Sequence, residues 1–424
     1  MTQVRAGIVI TGTEVLTARI EDRNGPWLSE RLRELGFDLV HITICRDRPE
    51  DIRAQLDFMH AQGVELVCTT GGLGPTADDM TAAIVGEFCE QQMFVDEQLL
   101  ERIQEIIRGF ARAANWDPEA VMSGSQKQAT VPRGAAILGP AGTAPGLVVT
   151  PAEGSDKPTV VVLPGPPGEL HAIWREAIDT PEFKAVAARA EIFEEQMLRM
   201  IGIPESDIAE TLRGFDRAQG LGALEITTCL RKGEMEILVS HHPDERTRRE
   251  LLVEQFRVQY GSAIFSETGE TIDEQIGRLL NGRTLAFAES CTGGQLAKRI
   301  TDRAGASEFF VGSAVTYSDE AKTRILGVDA ELLESKGAVS PEVAVAMADG
   351  ARDRFGADFA VAVTGVAGPG GGTDAKPVGF VCFHAVGPGG LKRSLQFTLP
   401  GNRADVQDRS VTVALHVLRS LLVG

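Results

Sequence analysis

Apolar runs alternate with amphipathic stretches along the first part of the chain. Residues 6–10, 37–44, 66–70 and 158–163 read as strands. Residues 25–35, 49–61, 81–88 and 96–113 carry the spacing of helices with one apolar face. Strands separated by helices of this length predict a mostly parallel sheet covered on both faces. The pattern changes over 181–265. There two strand-like pieces, 223–230 and 234–240, flank Arg231-Lys232-Gly233, a hairpin turn, and a helix over 247–260 follows. A second strand–helix alternation runs from Thr271 to the end. The expected fold class is α/β: two three-layer domains with mostly parallel sheets, 1–175 and 266–424, joined by a small α+β domain, 176–265.

At 424 residues the chain exceeds one ordinary core, in keeping with several domains. Its formal net charge of −18 repels phosphate backbones, so direct nucleic-acid binding is not expected. Six cysteines are scattered without a CxxC pair, which predicts reduced thiols and no disulfide or zinc framework. No run approaches the ~18 apolar residues of a membrane span, and no signal peptide precedes the first strand. A cytoplasmic protein without membrane association is expected.

Two stretches carry candidate chemistry. Glu289-Ser290-Cys291-Thr292-Gly293-Gly294 follows a short apolar run and precedes an amphipathic one, so it reads as strand, glycine turn and helix. A serine there is placed for a nucleophile or an anion site, although the same position suits a simple helix cap. Tyr317 and Lys322 stand at the next strand–helix junction, and the chain has only one other tyrosine, Tyr260. Near the N-terminus, Thr69-Thr-Gly-Gly-Leu-Gly-Pro-Thr-Ala-Asp-Asp-Met-Thr81 also joins a strand to a helix. Gly71, Gly72 and Gly74 let backbone approach a phosphate, and Asp78 and Asp79 suit a divalent cation; helix capping is the plainer alternative. The loops 142–146 and 163–169 are rigid Pro/Gly turns at strand ends.

Together with Gly12-Thr-Glu14, Asp22-Arg-Asn24, Lys127, Thr143, Gly165 and Glu169, the N-terminal motifs resemble the molybdopterin-binding (MoaB/MogA-like) fold, in the form found in the CinA family of competence- and damage-inducible proteins. The C-terminal motifs resemble that family's nicotinamide mononucleotide amidohydrolase domain. These are 289–294, 317–322, 337–340, 363–369, 376–379 and Gly401-Asn-Arg403. Ser125 and Gly139 stand where the family usually has asparagine, and Gln407 where a basic residue is common.

The resemblance implies hydrolysis of the nicotinamide mononucleotide carboxamide, in pyridine-nucleotide salvage and without a cofactor. Ser290 would be the nucleophile, with Tyr317 and Lys322 as the base pair. Backbone N–H groups of Cys291, Thr292, Gly293 and Gly294, and of Thr364 and Gly365, would hold the oxyanion; Arg403 and the loop from Gly368 would take the ribose phosphate. Cys291 is the competing nucleophile, read here as a packing residue. The resemblance also implies ADP-ribose cleavage by the N-terminal domain around Thr76, Asp78 and Asp79 with a divalent metal such as Mg²⁺, and a homodimer. The alternatives are a pterin- or nucleotide-binding module without chemistry, and a competence- or repair-associated partner protein.

Overall fold

The first strands form where the apolar runs predict them. β1 (Arg5–Thr11), β2 (Asp38–Cys45) and β3 (Leu66–Thr70) pair in parallel, with β1 central. The helices Asn24–Glu34, Pro49–Ala61 and Thr81–Phe88 follow them in turn. β4 (Met93–Val95) and β5 (Thr130–Pro132) make a separate antiparallel ribbon. β6 (Ala136–Leu138), β7 (Gly146–Val149) and β8 (Thr159–Leu163) complete a six-stranded sheet of order β2-β1-β3-β8-β7-β6, in which β8 is parallel to β3 and only β7 is reversed, antiparallel to both β8 and β6. Alternate residues of β1 serve opposite cores. Val9 packs with Leu56, Ile84 and Phe88, while Ile8 and Ile10 pack with Leu28, Leu32 and Trp174. The result is three layers.

β9 (Glu194–Ile201), β10 (Glu225–Arg231), β11 (Glu234–His241) and β12 (Ile264–Ser266) form an antiparallel sheet of order β10-β11-β9-β12. The helices Glu205–Gln219 and Arg246–Tyr260 cover one face through Ile208, Phe215, Leu252 and Phe256. The hairpin loop is shorter than the expected three residues: Arg231 pairs with Glu234, and only Lys232 (φ 52°) and Gly233 (φ 86°) turn. Both central residues at positive φ match the right-handed twist of the strands. β13 (Leu285–Glu289), β14 (Phe310–Val315), β15 (Phe359–Gly365), β16 (Phe380–Val386) and β17 (Lys392–Thr398) form the last sheet, of order β14-β13-β15-β16-β17. This sheet too is mostly parallel, as expected, with one strand reversed. β14, β13, β15 and β17 share one direction and β16 runs against it: the chain passes from β15 to β16 and, through the short turn 387–391, from β16 to β17 without a crossover helix.

The computed structural model describes residues 4–76, 78–114 and 124–424. They divide into two compact units, Met1–Phe193 and Glu194–Gly424, rather than three. The first extends past residue 175 because the helix Pro181–Ala187 sends Phe183 and Val186 into its core, with Phe183 edge-on to Trp174 at 5.6 Å. In the second, Ile201 packs on the C-terminal core and His416 bonds Glu234 at 2.7 Å, joining the antiparallel sheet to the helix Arg403–Leu422. Among the described residues no helix is long and apolar enough to cross a membrane.

Candidate functional site

In each unit the chain leaves a central strand to one side and then crosses to the other. β2 and β3 flank β1; β14 and β15 flank β13. The strand order reverses there, which opens a crevice at the carboxyl ends of the strands. Ser290 lies at that point of the second unit. Its N–H donates to Val363 O of β15 at 3.0 Å, while the neighbouring Thr316 N–H, just past β14, donates to Glu289 O at 2.8 Å.

The turn around Ser290 is built on a carboxylate. Glu289 is fully buried, and its two oxygens accept five hydrogen bonds. Oε2 takes Thr292 Oγ1 at 2.8 Å and the N–H groups of Gly294 and Leu296 at 3.0 Å each. Oε1 takes Ala297 N–H and Ser313 Oγ at 2.9 Å each. Desolvating a carboxylate is costly unless its lone pairs are filled, and here they are. Gly293 N–H is also engaged, with Ser290 O at 3.1 Å. The expected oxyanion donors therefore narrow: Gly293 and Gly294 are committed inside the turn, and among the described residues the N–H groups of Cys291 and Thr292 have no backbone or side-chain acceptor from another residue. Thr364 and Gly365 end β15 in register with Cys382 and Val381, and the Thr364 hydroxyl is committed to Ala338 O at 2.8 Å.

Lys322, on the helix Asp319–Leu326, is 1% exposed. Its Nζ donates to Thr316 O at 3.0 Å and reaches Tyr317 O at 3.5 Å. Burial holds its ammonium below the ordinary lysine pKa, partly countered by Asp319 at 3.8 Å. The expected pairing of Lys322 with the Tyr317 phenol is not formed. Tyr317 is 61% exposed, and its hydroxyl is bonded by Arg403 Nη2 at 2.7 Å; Arg403 Nη1 donates to Gly368 O at 2.8 Å. Ser290 is 8% exposed, and its hydroxyl bonds neither Tyr317 nor Lys322. Burial pushes the Cys291 thiol up to about 12, which leaves almost no thiolate at neutral pH.

The first unit's crevice is a cleft of about 740 Å³. Glu14, Asp22, Asn24, Gly71, Gly72, Gly74, Asp78, Asp79, Thr143, Gly165 and Glu169 line it, as the sequence predicts. Thr76 and Lys127 do not. Thr76 donates through its hydroxyl and N–H to Asp79 Oδ2, at 2.6 and 2.9 Å, and Lys127 Nζ donates to Thr76 O, so both brace the aspartates from outside. The Thr76 hydroxyl bond, its own backbone and Lys127 hold Asp78 below the usual carboxylate range, whereas burial raises Glu169. Ala77, within the same motif, lies outside the described residues. A side chain at Gly72 would come within 2.2 Å of Thr81 Oγ1, so backbone must form this wall.

Against families and relatives of known sequence, residues 7–184 match a probable molybdopterin-binding domain and 269–422 the CinA C-terminal domain. A CinA-like protein of Mycobacterium sp. (strain MCS) is 54% identical over 421 residues, 99% of each chain. One from Mycobacterium tuberculosis (strain ATCC 25177 / H37Ra) is 49% identical over 427 residues, 99% of this chain and 98% of that one. The chain belongs to the CinA family. A solved competence/damage-inducible protein from Agrobacterium tumefaciens, 40% identical with a TM-score of 0.34, covers 35% of this chain and 94% of its own.

Within this CinA-family chain, sequence reasoning missed three features. Glu289 reads as an ordinary charged residue at a strand end; only its position before a Ser-x-x-Gly-Gly turn hinted at a buried anchor. Asp47 lines the N-terminal cleft, and its carboxylate accepts Thr13 N–H at 2.9 Å. Gln128, in the same cleft, donates to Leu73 O at 3.0 Å and Thr143 Oγ1 at 3.3 Å, so it fixes the glycine turn against the 142–146 loop.

Proposed function

We propose that the C-terminal body of this CinA-family chain hydrolyses the carboxamide of nicotinamide mononucleotide to nicotinic acid mononucleotide and ammonia. The observation that carries this reading is Lys322, a buried amine with a depressed pKa beside the crevice that holds Ser290. A neutral amine is a base, and a serine needs one. Ser290 Oγ bonds to the carboxamide carbon and its proton passes to Lys322. The oxyanion accepts from the N–H groups of Cys291 and Thr292. Collapse breaks the C–N bond as Lys322 returns the proton to nitrogen, releasing ammonia. Water then attacks the ester carbonyl, Lys322 takes its proton and passes it to Ser290 Oγ, and the acid leaves. The gap between Ser290 and Lys322 closes on substrate binding, since such hydrogen bonds commonly tighten only in the complex. Arg403 and the Gly368 loop take the ribose phosphate.

The test is ammonia release from nicotinamide mononucleotide by the full chain. Ser290→Ala is expected to lower turnover by about 10⁴-fold or more, and Cys291→Ala to change it little. Loss in the cysteine variant with retention in the serine variant would overturn the assignment.

We infer a second activity, metal-dependent cleavage of ADP-ribose in the N-terminal cleft. Seven carboxylates line it (Glu14, Glu21, Asp22, Asp47, Asp78, Asp79 and Glu169) against one guanidinium, Arg23. A diphosphate at the glycine turn would be repelled unless a cation intervened. Among the described residues no three His, Cys, Asp or Glu groups cluster for a metal, so Asp78 and Asp79 are its candidate ligands, with phosphate and water completing the shell, as Mg²⁺ accepts. Held by Asp78 and Asp79, such a cation would supply charge neutralisation and polarisation of the bond to be cleaved. AMP formation from ADP-ribose with and without divalent metal tests this.

A further inference from the structure

We propose that the cavity between the β10–β11 hairpin and the helix Gln295–Thr301 binds a small anion through a diphosphate group. It encloses about 330 Å³ and is separate from both crevices described above. The chain carries a net charge of −18, yet five of the ten residues lining this cavity are arginine or lysine.

What matters is which charges are already spoken for. Four carboxylates face the cavity, and each has a partner. Glu234 bonds His416 at 2.7 Å, and Asp273 takes both Nε and Nη2 of Arg299 at 2.8 and 3.0 Å. Glu236 is paired with Arg199, and Asp302 with Lys298. On the cationic side, Arg231 and Lys232 have no ion pair among the described residues, and Arg303 has only Glu274 at 3.7 Å. Burial holds His416 below its ordinary pKa, so Glu234 keeps its charge, and the lining carries five cations against four carboxylates, with Arg231 and Lys232 outside any ion pair. Lys232 stands at φ 52°, a position where glycine or asparagine is the usual occupant. Lys232 lines the cavity with its chain neighbour Arg231, whose guanidinium can grip a phosphate with two N–H groups.

No aromatic side chain lines the cavity, so no ring is there to stack on a base. Recognition falls on the charged head group, and the inorganic and nucleotide forms of a diphosphate should bind alike.

The experiment is calorimetric titration of the full chain with inorganic diphosphate in the presence of a chelator, which silences metal-dependent binding elsewhere. Binding is expected, and the double variant Arg231→Gln/Lys232→Asn should weaken it about tenfold or more. Asparagine tolerates the left-handed backbone, so the hairpin is kept. A control double variant at two exposed cations of β17, Lys392→Gln/Arg393→Gln, should leave the affinity unchanged. With ADP as ligand, the affinity lost in the first variant should match that lost for diphosphate. Three results would each overturn the proposal: no diphosphate binding by the wild type, unchanged binding in the first variant, or equal weakening by the control. A loss confined to ADP would overturn it as well, because it would mean the base is recognised.

Discussion

Arg403 donates a 2.7 Å hydrogen bond to the phenolic oxygen of Tyr317, across 86 positions of sequence. This arrangement separates two roles that residue chemistry alone had joined. The cation on the phenol is Arg403, while Lys322 is turned inward to the Thr316 carbonyl. In the proposed reaction Lys322 is then the base, and the Tyr317–Arg403 pair frames the substrate's entry, tied to the Gly368 loop through Arg403 Nη1.

Tyr317→Phe removes the acceptor and leaves the ring. Arg403→Lys keeps a cation but loses the fork that reaches Tyr317 and Gly368 together. Both variants are expected to lower kcat/KM for nicotinamide mononucleotide, and the pair should be strongly non-additive because each acts through the same bond. Steady-state kinetics on the two single variants and the double variant check this. Independent, additive effects would dissolve the pair into two unrelated contacts.

Glu289 should behave as the keystone of the nucleophile turn. An amide in its place keeps the shape but turns an N–H₂ toward donors that need an acceptor. Glu289→Gln is therefore expected to destabilise the chain by about 2–4 kcal/mol. The milder Ser313→Ala removes one of the five bonds and should cost about 1 kcal/mol. In Ser313→Ala, kcat should fall with KM nearly unchanged, because the turn places Ser290 and the oxyanion donors and does not bind the nucleotide. Denaturant unfolding and kinetics on both variants separate the two effects; a pure KM rise in Ser313→Ala would remove Glu289 from any positioning role.

The contrast between Ser290 and Glu289 shows what the sequence can carry. The strand–turn–helix around Ser290 is local: an apolar run, then Gly293 and Gly294 at φ 61° and 98°, where a side chain is disfavoured. The helices Pro49–Ala61 and Thr81–Phe88 are local too, and their apolar spacing marks the same bounds. Glu289's function is only half local. Its donors include Ser313, 24 positions away, and its burial depends on β14 and β15 flanking β13. The same reasoning explains why β6, β7 and β9 escaped notice: β6 and β7 span 3 and 4 residues, too short for a period to show, and β9 carries Glu194, Glu195, Gln196 and Arg199 among its apolar positions. The end of the first unit depended on Phe183 meeting Trp174, a contact that no composition shift marks.

In the proposed reaction, Lys322 should make activity and stability move together with pH. Its folded pKa lies below the usual lysine value, so between the two the unfolded chain binds more protons than the folded one. Stability then rises with pH through that window, and the cost of burying the charge is largest below the folded pKa. Turnover should rise with pH over the same range as the neutral amine appears. Lys322→Met fills the space without a charge. It is expected to abolish ammonia release while leaving Tm at neutral pH equal to or above the wild type, a gap that narrows as pH approaches 10.5, the unperturbed lysine value. Thermal unfolding of both proteins across pH checks the sign. A variant Tm well below the wild type at neutral pH would mean that Lys322 is a structural tie to Thr316 and not a strained base.

Asp79 offers the sharpest test of the N-terminal cleft. Its Oδ2 is engaged by Thr76, and a side chain added at Gly74 would come within 2.4 Å of that same oxygen, so the carboxylate lies tight against the glycine turn. Asp79→Asn is nearly isosteric but removes the charge. The Thr76 donors can still be accepted by the amide oxygen, so the loop should hold and the fold should change little. With the charge gone, a divalent cation at this turn would lose a ligand, and a diphosphate there would lose its neutralisation. The expected outcome is that AMP formation from ADP-ribose requires added divalent metal in the wild type and falls by about 10²-fold or more in Asp79→Asn. Ammonia release from nicotinamide mononucleotide should be unchanged in the same preparation, because the reaction as proposed draws on neither the cleft nor a metal. Metal-independent AMP formation, or full activity in the variant, would remove the cation from the mechanism. Binding of ADP-ribose without turnover in the wild type would reduce the cleft to a binding site, leaving the Ser290–Lys322 crevice as the site of the proposed chemistry.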